Sequence, residues 1–327
     1  MILTNSALMK NKILLSLALT VCLAPLALRA EESGSGHYLP GAAASFIDAL
    51  PGKEAFACVN VFTYYNGSAG GSRTLELGGN IAANIKGTVY ADTSIALYQT
   101  PWEFLGGRYA AALAVPYLWM EIKADVQRAG SLGITRTVAE RDTASGVGDI
   151  QVIPFMLGWT NGDLKWDGRF SFYAPSGDYT KGQIANVGKN YWTFEPGGSI
   201  SYLSSKIGLE LSAFAGFDFN TKNNATDYQT GPQFHLDATV AQHLPLLGGF
   251  AGVGANVFYY LQISGDSGSG AKLGDFEGRT VGIGPVLSYA TKIGSVDLVA
   301  EFKWLPELEV QNRLKGDTIW FKLAVLF

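Results

Sequence analysis

Apolar and polar residues alternate with a period of two along most of this chain. From Ile207 to Phe219 the apolar set is Ile207, Leu209, Leu211, Ala213, Ala215, Phe217 and Phe219. The opposite face carries Lys206, Gly208, Glu210, Ser212, Phe214, Gly216 and Asp218. Val296, Leu298, Ala300, Phe302 and Trp304 stand against Asp297, Val299, Glu301 and Lys303. In the same way Leu164, Trp166, Phe170 and Phe172 oppose Lys165, Asp167, Arg169 and Ser171. Trp192, Phe194, Ile200 and Tyr202 oppose Thr193, Glu195, Ser199 and Ser201, and the stretch 234–244 sets Gln233, His235, Asp237, Thr239 and His243 on its polar side. The chain ends on Ile319, Phe321, Leu323, Val325 and Phe327, all on one strand face. Period two sustained over ~10 residues is the signature of a half-exposed strand, and its repetition is the signature of a membrane barrel.

Twelve such segments fall near 54–65, 85–98, 108–126, 146–160, 164–175, 190–204, 206–219, 232–245, 248–263, 279–291, 294–304 and 317–327. The first three alternate least cleanly. The connections at 127–145, 176–189, 220–231, 264–278 and 305–316 are long, and those between them are a few residues each, with 99–107 intermediate. Long loops at one rim and short turns at the other is the outer-membrane pattern. It predicts an all-β, transmembrane antiparallel barrel of about 12 strands over residues 54–327, with both termini periplasmic. A secreted sandwich or solenoid has no reason to alternate its connections in this way.

The chain start agrees. Lys10 and Lys12 precede an apolar run from Ile13 to Leu28, and Ala30 precedes Glu31 and Glu32. Residues 1–30 therefore read as a secretory signal peptide, the run being shorter than the ~20 residues of a spanning helix. Cys22 falls within this apolar run. Removing residues 1–30 takes Lys10, Lys12 and Arg29 and no acid, so the net charge passes from −4 to −7. That balance offers no basic stripe to a nucleic acid. Cys58 is then the one cysteine left, which rules out an internal disulfide framework. After Leu28 no apolar run is long enough for a helical span, although 47% of the residues are hydrophobic. Strands must bury that surface instead.

Several segments resemble a known family. His37-Tyr38-Leu39-Pro40-Gly41 is one, and Gly146-Val147-Gly148-Asp149, running on to Pro154 and Gly158-Trp159, is another. Ala174-Pro175-Ser176-Gly177-Asp178-Tyr179 and Asn186-Val187-Gly188-Lys189-Asn190-Tyr191-Trp192 follow. Residues 224–231 and Gly282-Ile283-Gly284-Pro285 complete the set. Together they resemble the outer-membrane transporters named for the MetA pathway of phenol degradation. The resemblance implies a barrel in the bacterial outer membrane that passes small hydrophobic or aromatic compounds.

Twelve strands exceed the eight whose interior side chains fill, so a lumen or binding cavity is expected. The inward faces predicted by alternation carry Lys165, Arg169, Lys206, Arg279, Lys303 and Lys322, and also Asp167, Glu195, Glu210, Asp218, Asp237, Asp297 and Glu301. The mixture of signs argues against a pore selective by charge. Glu301, Lys303 and Lys322 lie on neighbouring strands, as a lumen charge network. Residues 31–53 precede the first strand, and two placements stand: a plug inside the lumen, or a periplasmic tail at its mouth. As a plug, His37, Tyr38 and Phe46, with His235, Asp237 and His243 on the wall, are the candidate gating or solute-contacting residues. Aromatics near strand ends (Tyr64, Tyr65, Trp102, Trp119, Trp159, Trp166, Tyr191, Trp192, Tyr259, Tyr260, Trp304, Trp320) are candidates for interfacial girdles.

No catalytic residues, cofactor or metal site are marked. No G-x-S-x-G elbow occurs, and nothing in the sequence brings a serine beside a histidine. His235 and Asp237, two apart, read as ordinary lumen polarity, and the Gly/Ser/Asp run at 264–270 reads as turn chemistry before calcium binding. The expected partners are outer-membrane lipids and lipopolysaccharide, the barrel assembly machinery, and a small hydrophobic solute. Phe327 is the assembly signal expected at the end of the closing strand. The competing function is a structural barrel, or one whose loops bind partners, without transport.

Overall fold

Strand pairing accounts for most of the chain from residue 55 onward. The structure is a computed structural model that describes residues 32–129, 135–274 and 277–327. The signal peptide expected at 1–30 lies outside the described residues. Among the described residues the strands are β1 Ala55–Leu77, β2 Asn80–Phe104, β3 Gly107–Ala129, β4 Thr135–Val147, β5 Ile150–Asn161, β6 Leu164–Ala174 and β7 Thr193–Leu203. They continue as β8 Leu209–Asn220, β9 Gln233–Leu246, β10 Gly249–Gln262, β11 Arg279–Ile293, β12 Val296–Gln311 and β13 Lys315–Leu326.

Each strand pairs antiparallel with its neighbour, and β13 pairs with β1 from Ala57↔Leu326 to Ser68↔Lys315. The sheet is thereby closed on itself, and the edge left among the described residues is that of β4. The thirteen strands make twelve staves, because β4 and β5 divide one stave between them. β4 pairs with the far half of β3 (Tyr117↔Val147 to Ala129↔Thr135), and β5 pairs with the near half (Arg108↔Gly158 to Ala114↔Gln151). The break falls at Gly148-Asp149, where the Gly148 amide still donates to the Pro116 carbonyl at 2.9 Å.

β1 to β4 run further than alternation predicts. The connection expected at 127–145 is mostly β3 and β4, and that expected at 305–316 is mostly the end of β12, with a tight turn at 312–314. β4 is exposed from Thr135 to Ala139 and then alternates between half-exposed and exposed with no residue buried, so no core face marks it. Its ladder to β3 and the ion pair from Arg128 to Glu140 hold it instead. The loop after β6 covers its free edge, with the Ile184 and Ala185 amides donating to Asp142.

Outward positions form an apolar belt that includes Phe62, Leu113, Phe155, Phe170, Phe194, Ile200, Leu211, Val240, Leu287, Phe302 and Phe321. Inward positions on β7 to β9 are polar and buried: Glu195, Glu210, Ser212, Asp218, His235, Asp237 and His243. Three residues expected inside are elsewhere. Lys206 is exposed in the turn before β8, Arg279 pairs with Glu309 near the long-loop rim, and Asp297 pairs with Lys292 beside a short turn. Alternation continues past the wall into the rims, where it no longer separates lumen from solvent. Of the aromatics expected in girdles, Tyr65, Tyr191, Tyr260 and Trp320 turn inward, whereas Trp102, Trp119, Trp192 and Trp304 remain exposed.

Candidate functional site: a divided lumen

Residues 32–53 lie inside the barrel and run from the long-loop rim to the short-turn rim. Glu32 accepts hydrogen bonds from Asn223 at 3.1 Å, Thr226 at 3.1 Å and Tyr179 at 3.3 Å, all on long loops. At the other end the Gly52 amide donates to Gln99 at 2.8 Å, and Lys165 donates to the Pro51 carbonyl at 3.3 Å. β1 begins at that rim and β13 ends there.

The segment is apolar and has little regular structure, so its backbone needs partners that it cannot supply itself. The polar wall supplies them. The Asp237 carboxylate accepts from the Tyr38 hydroxyl, the Gly41 amide at 3.0 Å and the Ala43 amide at 3.1 Å. Lys303 donates back to the Ala43 carbonyl at 3.0 Å. Glu210 accepts from the Phe46 amide at 2.7 Å and also lies 2.7 Å from His243, whose ring meets Phe46 edge-on. Lys322 donates to both oxygens of Asp48 at 2.7 and 2.9 Å. Gly41 adopts φ +88°, and a Cβ there would stand 2.2 Å from Leu305 Cδ1, so only glycine fits the bend.

The charges predicted to meet do so. A Glu301 oxygen lies 3.4 Å from Lys303 and 3.6 Å from Lys322. Their further partners, Asp48 and the segment carbonyls, are contributed from outside the barrel strands, which strand alternation alone does not reveal. His243 bonds a carboxylate, and Ser212 donates to the same Glu210 at 2.9 Å. A carboxylate between serine and histidine leaves the histidine unable to take the serine proton, so this trio lacks the geometry of an activated nucleophile.

Asp149 is a second anchoring point, and sequence reading passed over its role. Its carboxylate accepts from the Lys189 amide at 2.7 Å and the Gly177 amide at 2.9 Å, and lies 2.8 Å from His37 Nε2. His37 Nδ1 lies 2.7 Å from Thr193 Oγ1, and its ring stacks on Tyr173. Three motifs separated in sequence thus converge: the Gly148-Asp149 break, the Ser176-Gly177 turn and the Val187-Gly188-Lys189 run. A Cβ on Gly177 would lie 2.8 Å from Gly188 Cα, and one on Gly188 would lie 2.2 Å from the Gly177 carbonyl oxygen. Glycine at both positions lets the backbones touch around Asp149. The signal was the glycine spacing, and its meaning needed the fold.

Because the segment hugs the polar wall, space remains on the other side. A cavity of about 460 Å³ extends from Leu77 and Tyr179 at the long-loop rim to Leu97 and Leu326 at the short-turn rim. Its outer wall is the inner face of β1 to β3: Ala57, Val59, Val61, Val89, Ala91, Ile95, Ala112, Ala114, Pro116, Leu118 and Met120. Leu39, Pro40, Ala42 and Ile47 of the segment face it. The inner face of β1 to β3 is therefore largely apolar, while the outer face of β1 and β2 mixes Phe62 and Tyr90 with Asn60, Asn66, Asp92 and Ser94, so their alternation is the least clean.

The fold is that of known outer-membrane barrels. The COG4313 outer membrane channel from Pseudomonas putida F1 is 14% identical, with a TM-score of 0.59 over 89% of this chain and 100% of that one. The beta domain of the Bordetella autotransporter Brka is 10% identical, with a TM-score of 0.44 over 84% of this chain and 99% of that one. No curated protein matches the sequence. The closed barrel and its apolar belt place the chain in the bacterial outer membrane. The model of the family described as "Putative MetA-pathway of phenol degradation" matches residues 67–323, and the chain belongs to that family.

Proposed function

We propose that this barrel is a channel for small hydrophobic or aromatic solutes, which pass along its apolar side while residues 32–53 act as the gate. The observation that carries this reading is the cavity between the segment and β1 to β3, whose wall on β1 to β3 is mostly apolar and which reaches residues of both rims. A water-filled pore gains nothing from Val59, Ile95 and Leu118 on its wall, whereas an apolar solute loses water contact there at a gain of roughly 25 cal/mol per Å². The family description, which names phenol degradation, supports an aromatic solute. The partners on this reading are the solute, the membrane lipids and lipopolysaccharide around the belt, and the assembly machinery that engages the terminal strand through Phe327.

Ala114 tests the reading. It is buried on the cavity wall. Ala114→Arg should lower the flux of a phenolic solute into proteoliposomes by roughly tenfold, since a barrier of about 1.4 kcal/mol suffices for that factor. Equal flux in the variant overturns the path along β1 to β3. Flux no greater than in empty liposomes for the unaltered barrel favours a structural role instead.

A further inference from the structure

The lumen wall holds a cluster that plugging does not explain. Glu195 on β7, Asp218 on β8 and His235 on β9 point inward from three consecutive strands, and all three are buried. The β7–β8 register sets Glu195 opposite Asp218, and one ligand atom from each of the three lies within 4.8 Å of the others. Gly216, paired with His235, makes this possible: a Cβ there would stand 2.7 Å from His235 Nε2, so glycine lets the imidazole lie across β8 toward the carboxylates. His235 Nε2 is 3.6 Å from Asp218, too far for a hydrogen bond, and neither ring nitrogen has a hydrogen-bond partner. A wholly buried imidazole with both nitrogens idle is costly, and so are two adjacent buried carboxylates. The Tyr38 ring lies flat on His235 at 3.6 Å and closes the cluster from the lumen side, while the Tyr173 hydroxyl donates to Glu195 at 3.1 Å.

We propose that Glu195, Asp218 and His235 bind a divalent transition-metal ion of the zinc or cobalt class. One imidazole nitrogen and two carboxylate oxygens suit such an ion and leave positions open for water. Bonds of roughly 2.0–2.2 Å require the donor atoms, now within 4.8 Å of one another, to close to roughly 3.3 Å as the ion enters. The ion neutralises both carboxylates and engages the idle imidazole. Tyr173 orients Glu195 from behind, as outer partners of metal ligands do. Because Tyr38 covers the cluster, the ion enters during assembly or while the segment is displaced, and once bound it rigidifies the surface on which Tyr38 stacks.

The test uses the full chain, refolded into detergent with Co²⁺ or Zn²⁺ as the only added metal and then desalted. About one ion per barrel is expected by mass spectrometry of the metal, with visible absorption bands of a nitrogen/oxygen site for Co²⁺. His235→Gln and Asp218→Asn should each lower retained metal roughly tenfold or more. His243→Gln, at another buried histidine outside the cluster, should retain the ion. Folding of each variant is checked by its heat-dependent shift on electrophoresis. If the variants do not fold, the unaltered barrel decides through its Co²⁺ spectrum. A folded, unaltered barrel that holds no ion overturns the proposal and assigns charge relief to a shared proton; metal retained by folded His235→Gln overturns the ligand assignment.

Discussion

Glu32 is a carboxylate placed where its charge is expensive. Burial raises it above the ordinary carboxylate range, against the hydrogen bonds from Asn223, Thr226 and Tyr179. Tyr179 is in turn pushed up to about 12 by burial and by Glu32. An acid whose docked pKa is raised favours docking when protonated. The upper end of the segment should therefore hold least firmly above the raised value and tighten as the pH falls through it, reaching a plateau below the free value of about 4.5. A spin label at Leu39, with Cys58 replaced, should lose mobility over that window, and Glu32→Gln should abolish the pH dependence. Equal pH dependence in Glu32→Gln would assign it to another group. At this scale the sequence was legible as polarity and opaque as pairing. His235 and Asp237 share one strand face, yet Asp237 reaches the segment while His235 turns toward Asp218 and Glu195. Spacing of two along a strand fixes the face and leaves the partner to the neighbouring strands.

The elements were legible where lipid imposes a pattern. β6 to β13 lie within about three residues of their predicted positions, except that β12 runs on past 304 to Gln311, because one face meets hydrocarbon and the other a polar wall. β1 to β3 blurred because their inner face is largely apolar and the outer face of β1 and β2 carries polar residues such as Asn60 and Ser94, and β4 escaped because both its faces are wet. The seam between β13 and β1 shows what closure demands. Phe327 donates to the Phe56 carbonyl at 2.9 Å and accepts from its amide at 3.4 Å, extending the ladder beyond Leu326. Deleting Phe327 removes that last pair and the aromatic end of the lipid face. The expected outcome is a lower yield of folded barrel, read as the fraction resistant to unfolding in cold detergent, with normal flux through the barrels that do fold. A flux defect in fully folded protein would contradict this assignment.

The whole molecule is a closed wall around an asymmetric interior. The ladder is complete without residues 32–53, and the segment adds contacts to it rather than strands. Deleting residues 31–46 should leave the barrel folded and raise its single-channel conductance in planar bilayers; unchanged conductance would sink the gating role. The closed shape was readable from alternation and from loop lengths. The division of the interior was not, since it depends on which strands the segment leans against. That choice follows the polar groups: Asp237, Glu210, Lys303 and Lys322 all lie on β8, β9, β12 and β13, and they draw the segment to one side.

The carboxylate of Asp149 has a mechanical consequence. It clasps the surface loop at Gly177 and Lys189 and the inner segment at His37, with no slack between them. A force applied to residues 176–189 at the long-loop rim is therefore delivered to the inner segment, at His37 through Asp149 and at Glu32 and Ser35 through Tyr179 and Lys189. Nothing needs to enter the barrel for its interior to sense that this rim has been touched.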